Sequence, residues 1–274
     1  MKKRVTFKSN QFKIEKYLEL MKVSFLSSFT YKGDILISLL DLFTFLFIFC
    51  FLWKAIFSSG NVKIENFTYT KMVWYYALIF SLEFSASKFR KKASALIHSG
   101  DIANFLTKPL SYPLYLLSDS LGLSLFNFIV CFPSALLIAF GFTLRVGFTV
   151  EGFLSFIVLG FLGLTLDTLI AIAINLLAFW VEDVKPILIV YIELLYILGG
   201  QAVPLDVMPK IVQKISLYTP LRFSFYSPAN VCINFEWGFF LHTLTNTLIS
   251  IFIILPIISL EFFIGSRRLS INGG

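Results

Sequence analysis

The sequence predicts an all-α membrane protein: six transmembrane helices, an N-terminal amphipathic helix at the membrane interface, and re-entrant outer helices between spans 5 and 6. Composition predicts the class, since 57% of the 274 residues are hydrophobic and only 14% are charged, against about 25% charged in soluble domains. The length of the apolar runs predicts the helices, because a bilayer core about 30 Å thick needs roughly 20 apolar residues. These observations argue against a soluble enzyme, a disordered chain and a nucleic-acid-binding protein.

Six apolar segments are predicted as spans within one transmembrane domain, residues 1–274. They are helices rather than strands, because an open sheet would leave backbone groups unpaired in lipid and the alternation of a barrel is absent. The fifth is the shortest, ending at Gly199-Gly200 after about 15 residues. The spans are residues 35–53, 70–88, 116–140, 152–180, 186–200 and 237–263.

The distribution of Lys and Arg predicts the orientation. With the N-terminus inside, 16 of these 23 residues fall in cytoplasmic segments and seven in outer segments. Both termini are therefore expected in the cytoplasm, and the net charge of +7 faces anionic lipid headgroups. No long apolar run occurs before Ile35, so we expect no cleavable signal peptide.

Residues 11–29 are predicted to form the interfacial helix, because apolar side chains share one stripe and charged ones lie elsewhere on the wheel. The stripe comprises Ile14, Leu18, Met21 and Phe25. The alternative is a helix packed on a soluble domain, for which the chain has no room.

The loop at 88–112 carries a short helix with an apolar face. Gly100 ends the helix that extends from span 2, Asp101 is a good N-cap, and Pro109 stops the next helix. The apolar face carries Ile102, Phe105 and Leu106. Such a face can insert into a groove on another protein or dip into lipid, and the residues alone leave both interpretations open.

The segment at 200–236 is broken by prolines, and Ile211, Ile215 and Tyr218 recur at helical spacing between them. We expect two short helices that dip in from the outer side, which membranes tolerate when such backbone is buried in protein or lines a cavity. The alternative is an ordinary outer loop with one surface helix.

Four stretches occur in a recognisable order along the chain. The interfacial helix leads into Tyr31-Lys32-Gly33-Asp34, and span 1 ends with Phe51-Leu52-Trp53-Lys54-Ala55-Ile56. The loop then runs from Ser99-Gly100-Asp101 to Lys108-Pro109-Leu110, and Gly199-Gly200-Gln201-Ala202-Val203-Pro204-Leu205 precedes Pro209 and Pro220. Together they resemble the permease subunits of the ABC-2 superfamily of ABC transporters, in particular bacterial permeases related to daunorubicin-type exporters.

The resemblance implies roles for two of these stretches. The coupling helix that docks on an ATP-binding subunit would comprise Gly100, Asp101, Ile102, Phe105, Leu106 and Pro109. The re-entrant gate on the outer side would include Gly199, Gly200, Pro204, Pro209 and Pro220. It also implies a multi-pass protein of the bacterial cytoplasmic membrane. Two permeases, identical or different (a heterodimer is plausible), would pair above two ATP-binding subunits.

The chain itself is expected to be no enzyme and to carry no cofactor. A phosphate-binding loop needs Gly-Lys-Ser/Thr, and no Gly in this sequence is followed by Lys. ATP and Mg²⁺ would therefore bind to the partner ATPase. Membrane lipid is the other expected partner, and nucleic acid is not expected.

Polar residues inside the spans are candidates for a substrate path, because a charge at membrane depth costs about 3 kcal/mol on insertion scales. The candidates are Glu193, Tyr196, His242, Asn246 and Asp167. The competing interpretation is interhelical hydrogen bonding, and for Asp167 the two are equally supported. Asp119 and Glu261 lie near span ends, where headgroup water can reach them.

The function predicted from these features is an ATP-driven export permease that moves a hydrophobic or amphipathic substrate (drug, lipid or peptide) by alternating access. One alternative is a membrane scaffold or sensor that transports nothing. Another is an ion-coupled secondary transporter, which an inverted repeat would favour, but residues 35–140 and 152–263 show no convincing one.

Overall fold

A computed structural model describes residues 2–59, 67–98 and 110–272, with side chains described for 15–31, 33–59, 67–86 and 110–267. Throughout these ranges the regular elements are helices, and no strand occurs in them. The α-helices are α1 (Lys2–Ser27), α2 (Lys32–Ser58), α3 (Tyr69–His98), α4 (Tyr112–Thr143), α5 (Val150–Leu176), α6 (Lys185–Leu198), α7 (Lys210–Leu217), α8 (Tyr226–Ile233) and α9 (Trp237–Asn272). Short 3₁₀ turns lie at Ser28–Thr30, Leu177–Phe179, Leu205–Val207 and Pro220–Phe223.

Four helices in the described ranges are long and apolar enough to cross a membrane. They cover Gly33–Ser58, Tyr112–Thr143, Val150–Phe179 and Trp237–Arg267, which correspond to predicted spans 1, 3, 4 and 6. The other two predicted spans are α3, which is long but more polar, and α6, which has 14 residues. The all-helical class is confirmed, and the count of six spans stays a prediction.

Helix α3 is the central helix of the bundle. Every residue from Met72 to Glu83 is buried, and the helix packs against α2, α4, α5 and α8. By contrast, only 22% of the most apolar window of α2 and 11% of that of α9 are buried. Since α3 is covered by protein, it accepts polar residues such as Ser81 and Glu83 that a lipid-facing helix would exclude.

Helix α1 packs along α4, and the predicted stripe supplies part of its contact face, since the Phe25 and Phe126 rings lie 5.6 Å apart. The Ser24 hydroxyl donates to Asp119 Oδ1 at 2.6 Å, and the Tyr17 hydroxyl accepts from the Ser111 amide at 2.9 Å. Leu18, predicted on the apolar stripe, is 54% exposed. The suggestion that Asp119 reaches headgroup water is wrong, because its carboxylate is buried against α1.

We call residues 210–233 the hairpin: they comprise α7, a turn and α8, and α8 packs on α5 at the end of the bundle opposite α1. A Cβ added at Gly163 of α5 would lie 2.4 Å from the Ser224 carbonyl oxygen, and one at Gly152 would lie 2.3 Å from that of Cys232. The turn before α8 therefore lies roughly 20 Å along α5 from its start, and α8 runs back towards that start. The prediction of two short helices is confirmed, and their depth in a membrane stays a prediction.

Candidate functional site

The segment between α6 and α7 lies against the central helix. The Tyr75 hydroxyl donates to the Gly200 carbonyl oxygen at 2.7 Å, and the Tyr76 hydroxyl donates to that of Ala202 at 2.9 Å. Gln201 is 1% exposed, and its Nε2 donates to Glu83 Oε2 at 2.8 Å. Three consecutive residues of this segment are thus held by α3. We call residues 199–207 the gate segment.

Gly200 makes this contact possible. Its φ of +71° lies in the left-handed region that favours glycine, and it follows directly after the end of α6, where helices commonly stop in this conformation. An added Cβ would come within 2.8 Å of the Tyr75 hydroxyl and 2.9 Å of Tyr226. The Gly199-Gly200 pair predicted from the sequence that the helix ends here, and the structure adds the close approach of Gly200 to α3.

A second hydrogen-bonded chain ties α8 to both the gate segment and α3. The Tyr226 hydroxyl donates to Asp206 Oδ2 at 2.8 Å, and Asn230 Nδ2 donates to the Tyr226 oxygen at 2.9 Å. Asn234 Nδ2 donates to Asn230 Oδ1 at 2.9 Å, and Lys71 Nζ donates to Asn234 Oδ1 at 2.6 Å. The sequence analysis missed these residues. Their signal was the i, i+4 spacing of Tyr226, Asn230 and Asn234.

The predicted path residues of α5 and α6 lie on different sides of α6. Asp167 is 1% exposed and accepts from the Tyr191 hydroxyl at 2.7 Å, a bond that joins α5 to α6. Glu193 follows two residues after Tyr191, which turns it to the opposite face, and it is exposed. The exposed apolar residues around it are Ile189, Val190, Leu194 and Ile197. The structure therefore separates the two acids.

The two predicted path residues of α9 differ in their surroundings. His242 is exposed and Asn246 is half-buried. Asn246 lines a cavity of about 260 Å³ between α9 and the turn after α7, which also includes Tyr218, Thr219 and Pro220. Tyr196 is half-buried on α6. Of the five candidates, only Asn246 thus lines this cavity beside the hairpin.

A family model described as "ABC-2 family transporter protein" matches residues 43–273. The chain belongs to this family. No curated protein matches it. Membership makes this ABC-2 protein a membrane transport component. The family implies an ABC transporter system with an ATP-binding partner. The resemblance drawn from the sequence is confirmed by the match.

Two other predictions for the ABC-2 protein concern its ligands. The coupling-helix residues, Gly100 to Pro109, lie outside the described residues, so the docking role stays a prediction. Among described residues, no group of three or more His, Cys, Asp or Glu side chains could hold a metal ion. Cys50, Cys131 and Cys232 are buried.

We expect Tyr191→Phe to lower the free energy of unfolding of the ABC-2 protein by about 1 kcal/mol, since interhelical hydrogen bonds in membranes contribute about this much. The change removes one donor to the buried carboxylate of Asp167 and leaves the ring. Thermal unfolding in detergent measures it. Tyr218→Phe is the matched control, because Tyr218 is 92% exposed. Equal losses in both variants would contradict a role for this bond.

Proposed function

We propose that this chain is the membrane subunit of an ATP-driven exporter that moves a hydrophobic or amphipathic substrate by alternating access. Its six spans are α2, α3, α4, α5, α6 and α9, both termini are cytoplasmic, and the membrane is the bacterial plasma membrane. Membership of the ABC-2 family supports a transport role, and the four long apolar helices support the placement in a membrane.

The exposed carboxylate of Glu193 carries the proposal of a substrate path. It lies in the middle of α6, a helix whose other exposed residues are apolar apart from Lys185 at its first position. A carboxylate there would cost about 3 kcal/mol against lipid, so this face needs a polar cover. A second permease, the same chain or a different one, supplies that cover when the two α6 faces enclose a wet path. Asp41 of α2 is also exposed and needs a polar cover for the same reason.

The α7–α8 hairpin and the gate segment are proposed as the outer closure of this path. Both are hydrogen-bonded to α3 near Lys71, Tyr75 and Tyr76. The same helix continues without a break to His98, directly before the proposed coupling helix at 99–110. A movement of that loop by the ATPase therefore reaches the gate through one rigid helix.

The motor in this proposal is a pair of ATP-binding subunits, which bind ATP and Mg²⁺. Closure of the pair on ATP pushes the coupling helix, and the spans rock to open the path on the outer side. The sequence supports this division of labour, since it has no Gly-Lys pair for a phosphate-binding loop. A scaffold or sensor without transport is the competing function, and the next experiment separates the two.

We expect Glu193→Gln to reduce export at least about fivefold, which corresponds to roughly 1 kcal/mol, without lowering the amount of assembled complex. Efflux of daunorubicin and flipping of a fluorescent phosphatidylcholine, measured in vesicles with ATP, are the assays. Glu236→Gln is the matched control, because this exposed acid lies just before α9 and away from α6. Unchanged export in Glu193→Gln would remove this residue from the path, and a wild type that moves neither probe would favour the scaffold.

A further inference from the structure

A groove lies between α4, α5 and α9 at the end of the bundle where α1 packs. Its volume is about 360 Å³, within the range of sites that bind small molecules. The lining residues come from the start of α4, the last third of α5 and the second half of α9. They include Leu114, Leu117, Leu169, Leu255, Phe263 and Ser266. None of the path or gate candidates belongs to this groove.

The serines of the groove lie mainly towards one end of it. Ser111 precedes α4 and Ser266 lies near the end of α9, with Ser259 two turns before it, whereas Leu117, Leu169 and Leu255 line the groove further from these helix ends. From Leu255 to Ser266 the helix rises roughly 17 Å. Leu114 and Phe263 on its two rims are 41% and 54% exposed, so the groove opens sideways from the bundle. An acyl chain has the shape and the polarity for such a groove.

The cation of Arg267 lies beside a residue of the groove wall, Phe263. Arg267 is exposed, and its Cζ lies 4.0 Å from the centre of the Phe263 ring, a cation–π contact that places the guanidinium beside the groove wall. Guanidinium groups bind phosphate with two parallel hydrogen bonds, and basic pockets between membrane helices bind anionic headgroups. The polarity of the groove thus matches a molecule with an apolar chain and an anionic head.

We propose that this groove binds one acyl chain of an anionic phospholipid, with the phosphate at Arg267. The inference rests on the proposed function only in that these helices are embedded in a membrane; it does not require export. A peptide ligand is disfavoured, because in the described part of the groove the polar side chains are hydroxyls confined to Ser111, Ser259 and Ser266, too few to satisfy a peptide backbone.

Native mass spectrometry of the full-length chain, purified with its partner subunits, tests the proposal by titration with phosphatidylglycerol and with phosphatidylethanolamine of the same acyl chains. We expect the wild type to hold one phosphatidylglycerol per permease, at least about tenfold more tightly than phosphatidylethanolamine. Ser259→Phe fills the groove and should weaken both lipids about tenfold. Arg267→Gln should weaken phosphatidylglycerol alone, to the affinity of phosphatidylethanolamine.

Two controls match these variants. Ile257→Phe adds a ring to an exposed position of α9 outside the groove, and Arg145→Gln removes an exposed arginine at the other end of the bundle. Both should bind phosphatidylglycerol like the wild type. Leu114→Trp narrows the groove from α4 and replaces Ser259→Phe if that variant unfolds. Equal binding by the groove-filling variants and Ile257→Phe, or equal affinity of the wild type for the two lipids, would overturn the proposal. If the wild type binds phosphatidylglycerol as expected but exports neither probe, the lipid proposal stands and only the proposed function is contradicted.

Discussion

Phe105→Asp should abolish binding of the ATP-binding subunit and lower transport-stimulated ATP turnover at least about tenfold. In the proposed complex, Phe105 inserts into an apolar groove of that subunit. A carboxylate buried there without a partner costs several kcal/mol, and each 1.4 kcal/mol is about a tenfold change in affinity. Co-purification of the ATPase on a tag placed on this chain measures binding, and phosphate release in vesicles measures turnover.

Asn104→Asp is the matched control, since it adds the same charge one position earlier, off the face formed by Ile102, Phe105 and Leu106. It should bind the ATPase like the wild type. The side of the membrane is tested with Thr107→Cys and a maleimide that cannot cross the bilayer. The background is low, because the three native cysteines are buried. Labelling of intact cells at this position, or normal ATPase binding by Phe105→Asp, would contradict the coupling-helix assignment.

Gly163→Ala should lower the free energy of unfolding by roughly 1–3 kcal/mol, the usual cost of overpacking, and impair export. The added Cβ would lie 2.4 Å from the Ser224 carbonyl oxygen and 3.1 Å from that of Phe223. These are backbone atoms, so relief requires the turn before α8 to move away from α5. Thermal unfolding in detergent gives the stability, and the vesicle assays give the export rate.

Gly141→Ala is the control, because it makes the same Gly-to-Ala change within a helix without the steric contact of Gly163. It lies in α4, where an added Cβ would meet no atom within 4 Å. It should unfold at the wild-type temperature or slightly above it, because Ala favours a helix more than Gly does. If Gly163→Ala and Gly141→Ala unfold at the same temperature, the close contact between Gly163 and the Ser224 carbonyl oxygen is contradicted.

Much of the fold could be predicted from the sequence, because hydropathy responds to the solvent that each helix faces. The long lipid-facing helices, α2 and α9, were therefore the clearest. The burial of α3 was not predictable, since a helix covered by protein carries no periodic pattern. The contact between Ser24 and Asp119 could not be predicted for another reason. The two residues are 95 positions apart, and helical periodicity gives no information on contacts between distant segments.

The candidate site shows the same limit. The spacing of Tyr191 and Glu193 shows that they point to opposite faces of α6, but not which face meets α5. From the sequence, Asp167 suits a substrate path and helix packing equally. Only the tertiary fold brings the Tyr191 hydroxyl to 2.7 Å from its Oδ1. Asn230 and Asn234 are readable as a helical pair, whereas Lys71, 163 positions from Asn234, is brought to them only by the tertiary fold.

The hydroxyl groups of Tyr75 and Tyr76 bind carbonyl oxygens of the main chain at Gly200 and Ala202. Such an attachment does not depend on which side chain the second of these positions carries. Substitution of Ala202 or its neighbour Val203 therefore leaves both hydrogen bonds between residues 199–207 and α3 in place. In the proposed exporter, the side chains of this segment can diverge while its attachment to α3 is kept.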